Sequence, residues 1–194
     1  MFNIIEKEDI TKRFDLFSLI DVAKKSALIG KEILLKNYNK IQKISSKGRK
    51  GDLITNVDLE VENNIKDFLI ANTPEISIHA EESGKLIKSS ELTWCIDPLD
   101  GTTNYSHGYP FFGSSIGLVY KNKPILGAIS VPYLDELYFG LLGGGAFCNE
   151  DKLVVSNPQC LSESLLVTGF SYDRFETINN NYAEFCYLTH KTRG

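Results

Sequence analysis

The sequence predicts an α+β fold in which two helices pack on a largely antiparallel sheet, and three observations carry that prediction. Apolar residues recur at helical spacing through residues 15–72, they alternate with polar ones after Pro74, and Gly and Pro interrupt the alternating runs. Composition agrees with them: 42% hydrophobic and 24% charged residues in a chain of 194 are ordinary for a globular protein and sufficient for one substantial core. Disorder and low complexity are excluded for the chain as a whole. Residues 1–194 are read as one αβ domain, without internal repeats.

The first expected helix covers residues 15–41, where Leu16, Leu19, Ile20, Ala23, Ala27, Leu28, Leu34 and Leu35 form one stripe. The segment 43–51, with Ser45, Ser46, Gly48 and four basic residues, ends it. A second helix starts at a capping Thr55, places Val57, Val61, Ile65, Phe68 and Leu69 on one face, and stops at Asn72-Thr73-Pro74. Ile76, Ile78 and Ala80 then alternate with Ser77 and His79 as a strand. Further strands are expected at residues 93–96, 114–121, 125–131, 136–142, 153–156 and 165–170. Asn122-Lys123-Pro124 reads as a hairpin tip, Pro132 and Gly143-Gly144-Gly145 as breaks, and residues 177–192 as a polar helix.

Charge and cysteine usage narrow the function. With 21 Lys and Arg against 25 Asp and Glu, the net charge of −4 provides no field for capturing nucleic acid. The uncharged stretch 137–149 is too short for a membrane span and broken by glycines, and residues 1–11 lack the basic-then-apolar order of a secretory signal. The expectation is a cytoplasmic protein without a membrane partner. Cys95, Cys148, Cys160 and Cys186 lie far apart with no paired spacing, so they suggest neither zinc nor a disulfide framework and are read as buried small hydrophobes.

The chemistry concentrates in three acidic segments. In Trp94-Cys95-Ile96-Asp97-Pro98-Leu99-Asp100-Gly101-Thr102-Thr103-Asn104, an inward Trp94 and Ile96 put Asp97 on the opposite face at a strand's end. Asp97, Asp100 and the Leu99 carbonyl can then converge on a hard cation, although Asp, Pro and Gly are also what a plain tight turn favours. Gly101 followed by Thr102 and Thr103 either opens a helix whose N–H groups hold a phosphate or simply caps it. Glu81 follows the strand 76–80 on the Ser77 and His79 side, as a second acid for the site or as part of an exposed turn with Glu82. Asp58 completes a Thr55-x-x-Asp58 helix start, which also holds it rigidly beside anything docked there.

Taken together, Asp52-Leu53-Ile54-Thr55-x-x-Asp58, Ala80-Glu81-Glu82-Ser83-Gly84 and Ile96-Asp97-Pro98-Leu99-Asp100-Gly101-Thr102-Thr103-Asn104 resemble the inositol monophosphatase family of Mg²⁺-dependent, Li⁺-sensitive phosphomonoesterases. The continuation through Tyr105-Ser106-His107-Gly108-Tyr109-Pro110 and Ser115-Ile116-Gly117-Leu118, and Gly143-Gly144-Gly145-Ala146-Phe147-Cys148-Asn149, is similar to the same branch. The resemblance implies the N-terminal αβ half of a layered αβαβα sugar-phosphatase fold. It implies hydrolysis of a small phosphate monoester, myo-inositol monophosphate first, by a metal-activated water. Fructose 1,6-bisphosphate, nucleotide bisphosphates and histidinol phosphate are the alternative substrates, and a homodimer is the implied full-length assembly.

Residue by residue, the resemblance assigns Glu81, Asp97 and the Leu99 carbonyl to a first Mg²⁺, and Asp97 and Asp100 to a second. Gly101 and Thr102 offer N–H groups to the phosphate, Thr102 with Asp58 orients the nucleophilic water, Glu81 serves both catalysis and substrate binding, and Glu82 supports. An all-oxygen donor set suits Mg²⁺ over zinc, and these carboxylates gathered without a cation would repel one another. Lys47 is expected in a lid over the phosphate, and His79 and His107 are read as structural. Ala80 stands where the family has Gly. The family also continues into a Trp-Asp motif that completes the second metal site, and here no Trp follows Trp94. The expectation is therefore a fragment or a truncated relative, with one strong metal site, poor turnover and an exposed apolar surface. A non-catalytic, metal-binding interaction protein is the reading from a different class.

Overall fold

A computed structural model describes residues 4–40, 44–46, 53–170 and 173–193. The chain divides into two compact units, Met1–Ser45 with Ile54–Leu153, and Ser46–Leu53 with Val154–Gly194. In chain order the elements are α1 (Ile4–Arg13), α2 (Leu16–Asn37), β1 (Ile44–Ser46), β2 (Leu53–Thr55), α3 (Asn56–Asn72), β3 (Ser77–Ala80), β4 (Gly84–Leu86) and β5 (Leu92–Asp100). They continue with α4 (Thr102–Ser106), β6 (Gly113–Tyr120), β7 (Lys123–Val131), a 3₁₀ turn at Pro132–Leu134, β8 (Glu136–Leu141), β9 (Gly145–Cys148) and β10 (Asp151–Lys152). A second 3₁₀ turn at Leu161–Glu163 and α5 (Tyr182–Thr189) lie in the second unit.

Among the described residues eight strands form one open sheet in the order β10-β9-β8-β7-β6-β5-β3-β4. Every neighbouring pair is antiparallel except β3 and β5, which run parallel. The expected α+β class therefore holds, with α2 and α3 packed on the sheet. Alternation sets the buried face: Ile78, Trp94 and Leu118 stand in one cross-strand row, and Ala80, Ile96, Ile116 and Ala128 in the next, all at most 4% exposed. Trp94 is fully buried and its indole N–H donates to Thr73 Oγ1 at 3.0 Å, so the end of α3 is pinned to the central strand. Gly30 lets α2 approach β6, because a Cβ there would lie 2.5 Å from Ser114 Oγ.

Helix boundaries follow local chemistry. Asp15 caps α2 by accepting the Ser18 N–H at 3.1 Å. Thr55 caps α3 within a capping box closed by Asp58, as the Thr-x-x-Asp pattern predicts. The hairpin tip falls one residue earlier than expected: Lys121 and Asn122 take positive φ of 48° and 62°, the type I′ geometry that suits a two-residue hairpin. Pro124 sits inside β7, opposite Val119 beside a register shift that accommodates its missing N–H.

Three expectations are corrected. Residues 153–156 and 165–170 form no strand; β9 instead pairs with Asp151 and Lys152, and among the described residues the apolar runs beyond have no strand to join. Val154 and Val155 are 85% and 92% exposed, so their β propensity finds no half-buried surface to fit. The last helix shrinks to Tyr182–Thr189, starting after a left-handed Asn181. The cysteines are not buried: Cys95 and Cys148 are intermediate, Cys160 and Cys186 exposed, and all four are free thiols. Sequence reading also missed α1, whose mixed charges hide its period, and the short β4.

In the second unit Phe170 packs against Tyr182 and Phe185, and Arg193 donates from its backbone N–H to the Ser164 carbonyl at 2.9 Å. None of residues 154–170 and 173–193 is buried, and Val167 and Ile178 are 99% exposed. Apolar surface of this kind favours association. Light scattering of the chain across a concentration series is expected to show reversible self-association, which a mass fixed at the monomer value would contradict. Gly30→Ala is expected to lose about 1–3 kcal/mol from overpacking, exceeding the helix-propensity gain of about 1 kcal/mol. The check is a lowered urea midpoint, read through Trp94 as the sole tryptophan.

Candidate active site

Parallel pairing of β3 with β5 brings two acidic segments to the same end of the sheet. Ala80 pairs with Ile96, and the Glu81 N–H donates to the Ile96 carbonyl at 3.1 Å, so Glu81 leaves β3 beside Asp97. The pKa of the Asp97 carboxyl is pushed up to about 7. Desolvation is the largest cause, followed by the negative charges of Glu81 and Asp100, with the Leu99 backbone pulling the other way.

Asp100 reaches this neighbourhood through a β-bulge. Plain alternation would send residues three apart to opposite faces, but Asp97 opposes Ser115 while Asp100 opposes Gly113, so Pro98 and Leu99 together face one residue of β6. A proline inside a central strand is tolerated at such a bulge. Asp97 Oδ1 is buried and has no hydrogen-bond partner among the described residues. Such an atom, surrounded by acidic neighbours, is an acceptor lacking a cation or donor. No group of three or more His, Cys, Asp or Glu among the described residues is already closed to ligating distance. The convergence consists of the Glu81–Asp97 pair, the charge of Asp100 and the Leu99 backbone.

The second component is the start of α3 with the turn into α4. Asp58 is 1% exposed, and its Oδ2 accepts the Thr55 N–H at 2.9 Å and the Thr55 hydroxyl at 2.5 Å. Thr102 Oγ1 lies 3.3 Å from Asp58 Oδ1 and 2.9 Å from the Leu99 carbonyl. The Thr102 hydroxyl has one proton for two acceptors, and its lone pairs stay available to a water. Gly101 caps α4 with φ 82° and ψ 36°, and a Cβ there would approach the Phe111 carbonyl at 3.1 Å, so glycine is required twice over. With only five residues, α4 contributes local first-turn N–H groups rather than an extended helix dipole. Tyr105 anchors it by donating to the Leu34 carbonyl at 2.9 Å, and burial pushes its phenol up.

Sequence reading missed Glu62. It is 1% exposed, with Oε2 accepting the Glu82 N–H at 2.7 Å and Oε1 the Ser83 N–H at 3.0 Å. The available signal was an acid one turn after Asp58, on the same face as the apolar Ile65 and Leu69. His107 Nδ1 lies 2.8 Å from the Thr103 carbonyl, in keeping with a structural role. Lys47 and Asp52 lie outside the described residues.

The model of one protein family, described as the inositol monophosphatase family, matches residues 15–194. The chain belongs to the inositol monophosphatase family. An inositol-1-monophosphatase of Synechocystis is 42% identical over 181 residues, covering 93% of this chain and 63% of the relative. A fructose-1,6-bisphosphatase/inositol-1-monophosphatase of Aquifex aeolicus is 40% identical over 158 residues, covering 80% and 60%. The solved inositol monophosphatase of Anabaena superposes with a TM-score of 0.80 at 43% identity, covering 93% of this chain and 66% of that one. This member of the inositol monophosphatase family thus spans less than two thirds of each of these relatives. Among the described residues no helix is long and apolar enough to cross a membrane.

The raised Asp97 pKa fixes the sign of a pH effect. Between the ordinary 3.8 and about 7 the folded chain holds a proton that the unfolded chain has released, so without a cation stability falls as pH rises through that window. Asp97→Asn removes the titration. In metal-free buffer, the stability of Asp97→Asn relative to the unmodified chain is expected to increase from pH 4 to pH 7 and then level off. Urea midpoints for the two proteins that run parallel across this range would contradict the assignment.

Proposed function

We propose that residues 1–194 supply the metal- and phosphate-binding αβ part of a Mg²⁺-dependent phosphomonoesterase, acting in the cytoplasm on small phosphorylated polyols, with myo-inositol monophosphate as first substrate. The observation that carries this reading is the buried Asp97 Oδ1, unpartnered among the described residues and set beside Glu81 and Asp100. The oxygen-only donor set fits a hard divalent cation. Glu81 and Asp97 with the Leu99 carbonyl would hold one Mg²⁺, and Asp97 with Asp100 would contribute to another. When bound, the ions neutralise phosphate charge and lower the pKa of a coordinated water. Four free thiols agree with a reducing compartment.

The chain's own groups then have distinct tasks. Gly101 and Thr102 direct first-turn N–H groups at the phosphate oxygens, where a Cβ at residue 101 would obstruct the turn. Thr102 accepts a hydrogen bond from the attacking water through a lone pair. Its own proton points to Asp58 or to the Leu99 carbonyl. Asp58 cannot turn away, because two donors from Thr55 fix its other oxygen. Glu81 stands where it can accept the water's departing proton as well as hold a cation. A second substrate reading, fructose 1,6-bisphosphate, draws on the dual name of the Aquifex relative. Two relatives of nearly equal identity, both named for inositol-1-monophosphatase and one also for fructose-1,6-bisphosphatase, support a reading in which the matched part holds the shared chemistry rather than the choice of alcohol.

The test is phosphate release from myo-inositol 1-phosphate and from fructose 1,6-bisphosphate by two proteins: the 194-residue chain, and a chimera completed with the remaining third of the Synechocystis relative. The chimera is expected to turn over with Mg²⁺ and to lose about 10²-fold or more on Asp97→Asn or Thr102→Ala. The chain alone is expected to be slow. A chimera that folds and binds Mg²⁺ yet releases phosphate from neither substrate refutes the proposal.

A further inference from the structure

We propose that Glu62 is a positioning residue that clamps the turn after β3 and thereby fixes where Glu81 stands for cation capture. The inference rests on reading the Glu81–Asp97 cluster as a metal site. Glu81 is exposed and lies past the end of its strand, so neither core packing nor the ladder of β3 determines its direction beyond its own N–H. The next two residues do. The Glu82 and Ser83 N–H groups point at one buried carboxylate, each to its own oxygen, at 2.7 and 3.0 Å.

The chemistry of that clamp is specific. Two adjacent amides need two acceptors on one side chain, and a carboxylate alone provides them with charge-assisted strength. A glutamine would present one acceptor and one NH₂, setting a donor against a donor. An aspartate lacks a methylene of reach. Burying a further negative charge near Glu81, one turn from the equally buried Asp58, is an expensive way to stabilise an ordinary turn. In a turn that must hold a metal-binding carboxylate, the same charge fixes geometry and favours a cation nearby. The next turn of α3 adds an exposed tether, Lys66 Nζ donating to Ser83 Oγ at 2.6 Å, which supplies a control.

The experiment titrates Mn²⁺, as a paramagnetic probe, into the 194-residue chain and its variants by electron paramagnetic resonance, well below the unfolding temperature of each. Glu62→Gln is expected to weaken Mn²⁺ binding by about tenfold or more. Lys66→Ala is expected to leave it unchanged, and Asp97→Asn to abolish it. A purely structural Glu62 would lower the unfolding temperature and leave Mn²⁺ affinity intact, and that result overturns the proposal. If Glu62→Gln does not fold, amide hydrogen exchange of the unmodified chain decides. The Glu82 and Ser83 amides should be protected, more so with Mg²⁺; unprotected amides, or protection indifferent to Mg²⁺, overturn it. If the unmodified chain binds no Mn²⁺, the metal reading fails and this inference with it. If it binds, Asp97→Asn does not, and Glu62→Gln binds normally, the inference alone fails.

Discussion

The parallel pairing of β3 with β5 is the constraint on which the rest of the site depends. Antiparallel neighbours put the end of one strand beside the start of the next, which would have separated the acids of these two segments along the sheet. Here β3 ends at Ala80 opposite Ile96, and the residue after Ala80 emerges beside the residue after Ile96. Parallel strands require a crossover, and the chain provides one through β4 and the loop before β5. The cost is concentrated carboxylate charge at a half-buried position. It is visible in Asp97, whose carboxyl is driven toward its neutral form by burial first and by Glu81 and Asp100 next.

Around that pairing, α3 works as a ruler. Its capping box holds Asp58 against Thr55, one turn later Glu62 takes two amides of the turn carrying Glu81, and the next turn reaches Ser83 through Lys66. Asp58 and Glu62, four residues apart, therefore locate two separate pieces of the site, the Thr102 turn and the Glu81 turn, relative to one rigid helix. The helix is itself located by Val57, Val61, Ile65 and Leu69, each fully buried, and by the bond between Trp94 and Thr73 at its end. Placement of these polar atoms thus derives from apolar packing along the same helix.

Local rules with strong physical signatures were legible in the sequence. The Thr55-x-x-Asp58 pattern predicts a cap and is one, an inward Trp94 and Ile96 are both buried, and the helix start expected at Gly101 is the N-cap of α4. Features that depend on a partner were not legible. The bulge at Pro98 and Leu99 exists only in relation to Ser114 across the ladder, and no spacing within β5 announces it. The clamp by Glu62 joins positions twenty apart, and no local spacing announces its partner. The strands expected at 153–156 and 165–170 do not form for the converse reason: their residues favour strands, but a strand is a relation to a neighbour, and none pairs with them among the described residues.

β5 shows why fold and site cannot be separated here. Its first half places Trp94 and Ile96 against α3, where burial stabilises the sheet; its second half turns through the bulge and spends that stability on ordering like charges. A strand that stopped at Ile96 would lose Asp97, Asp100 and the Gly101 turn but keep the core. One that ran on without Pro98 and Leu99 in a bulge would keep the acids and send Asp100 to the other face. The site requires both a well-buried strand and its controlled irregularity, within nine residues.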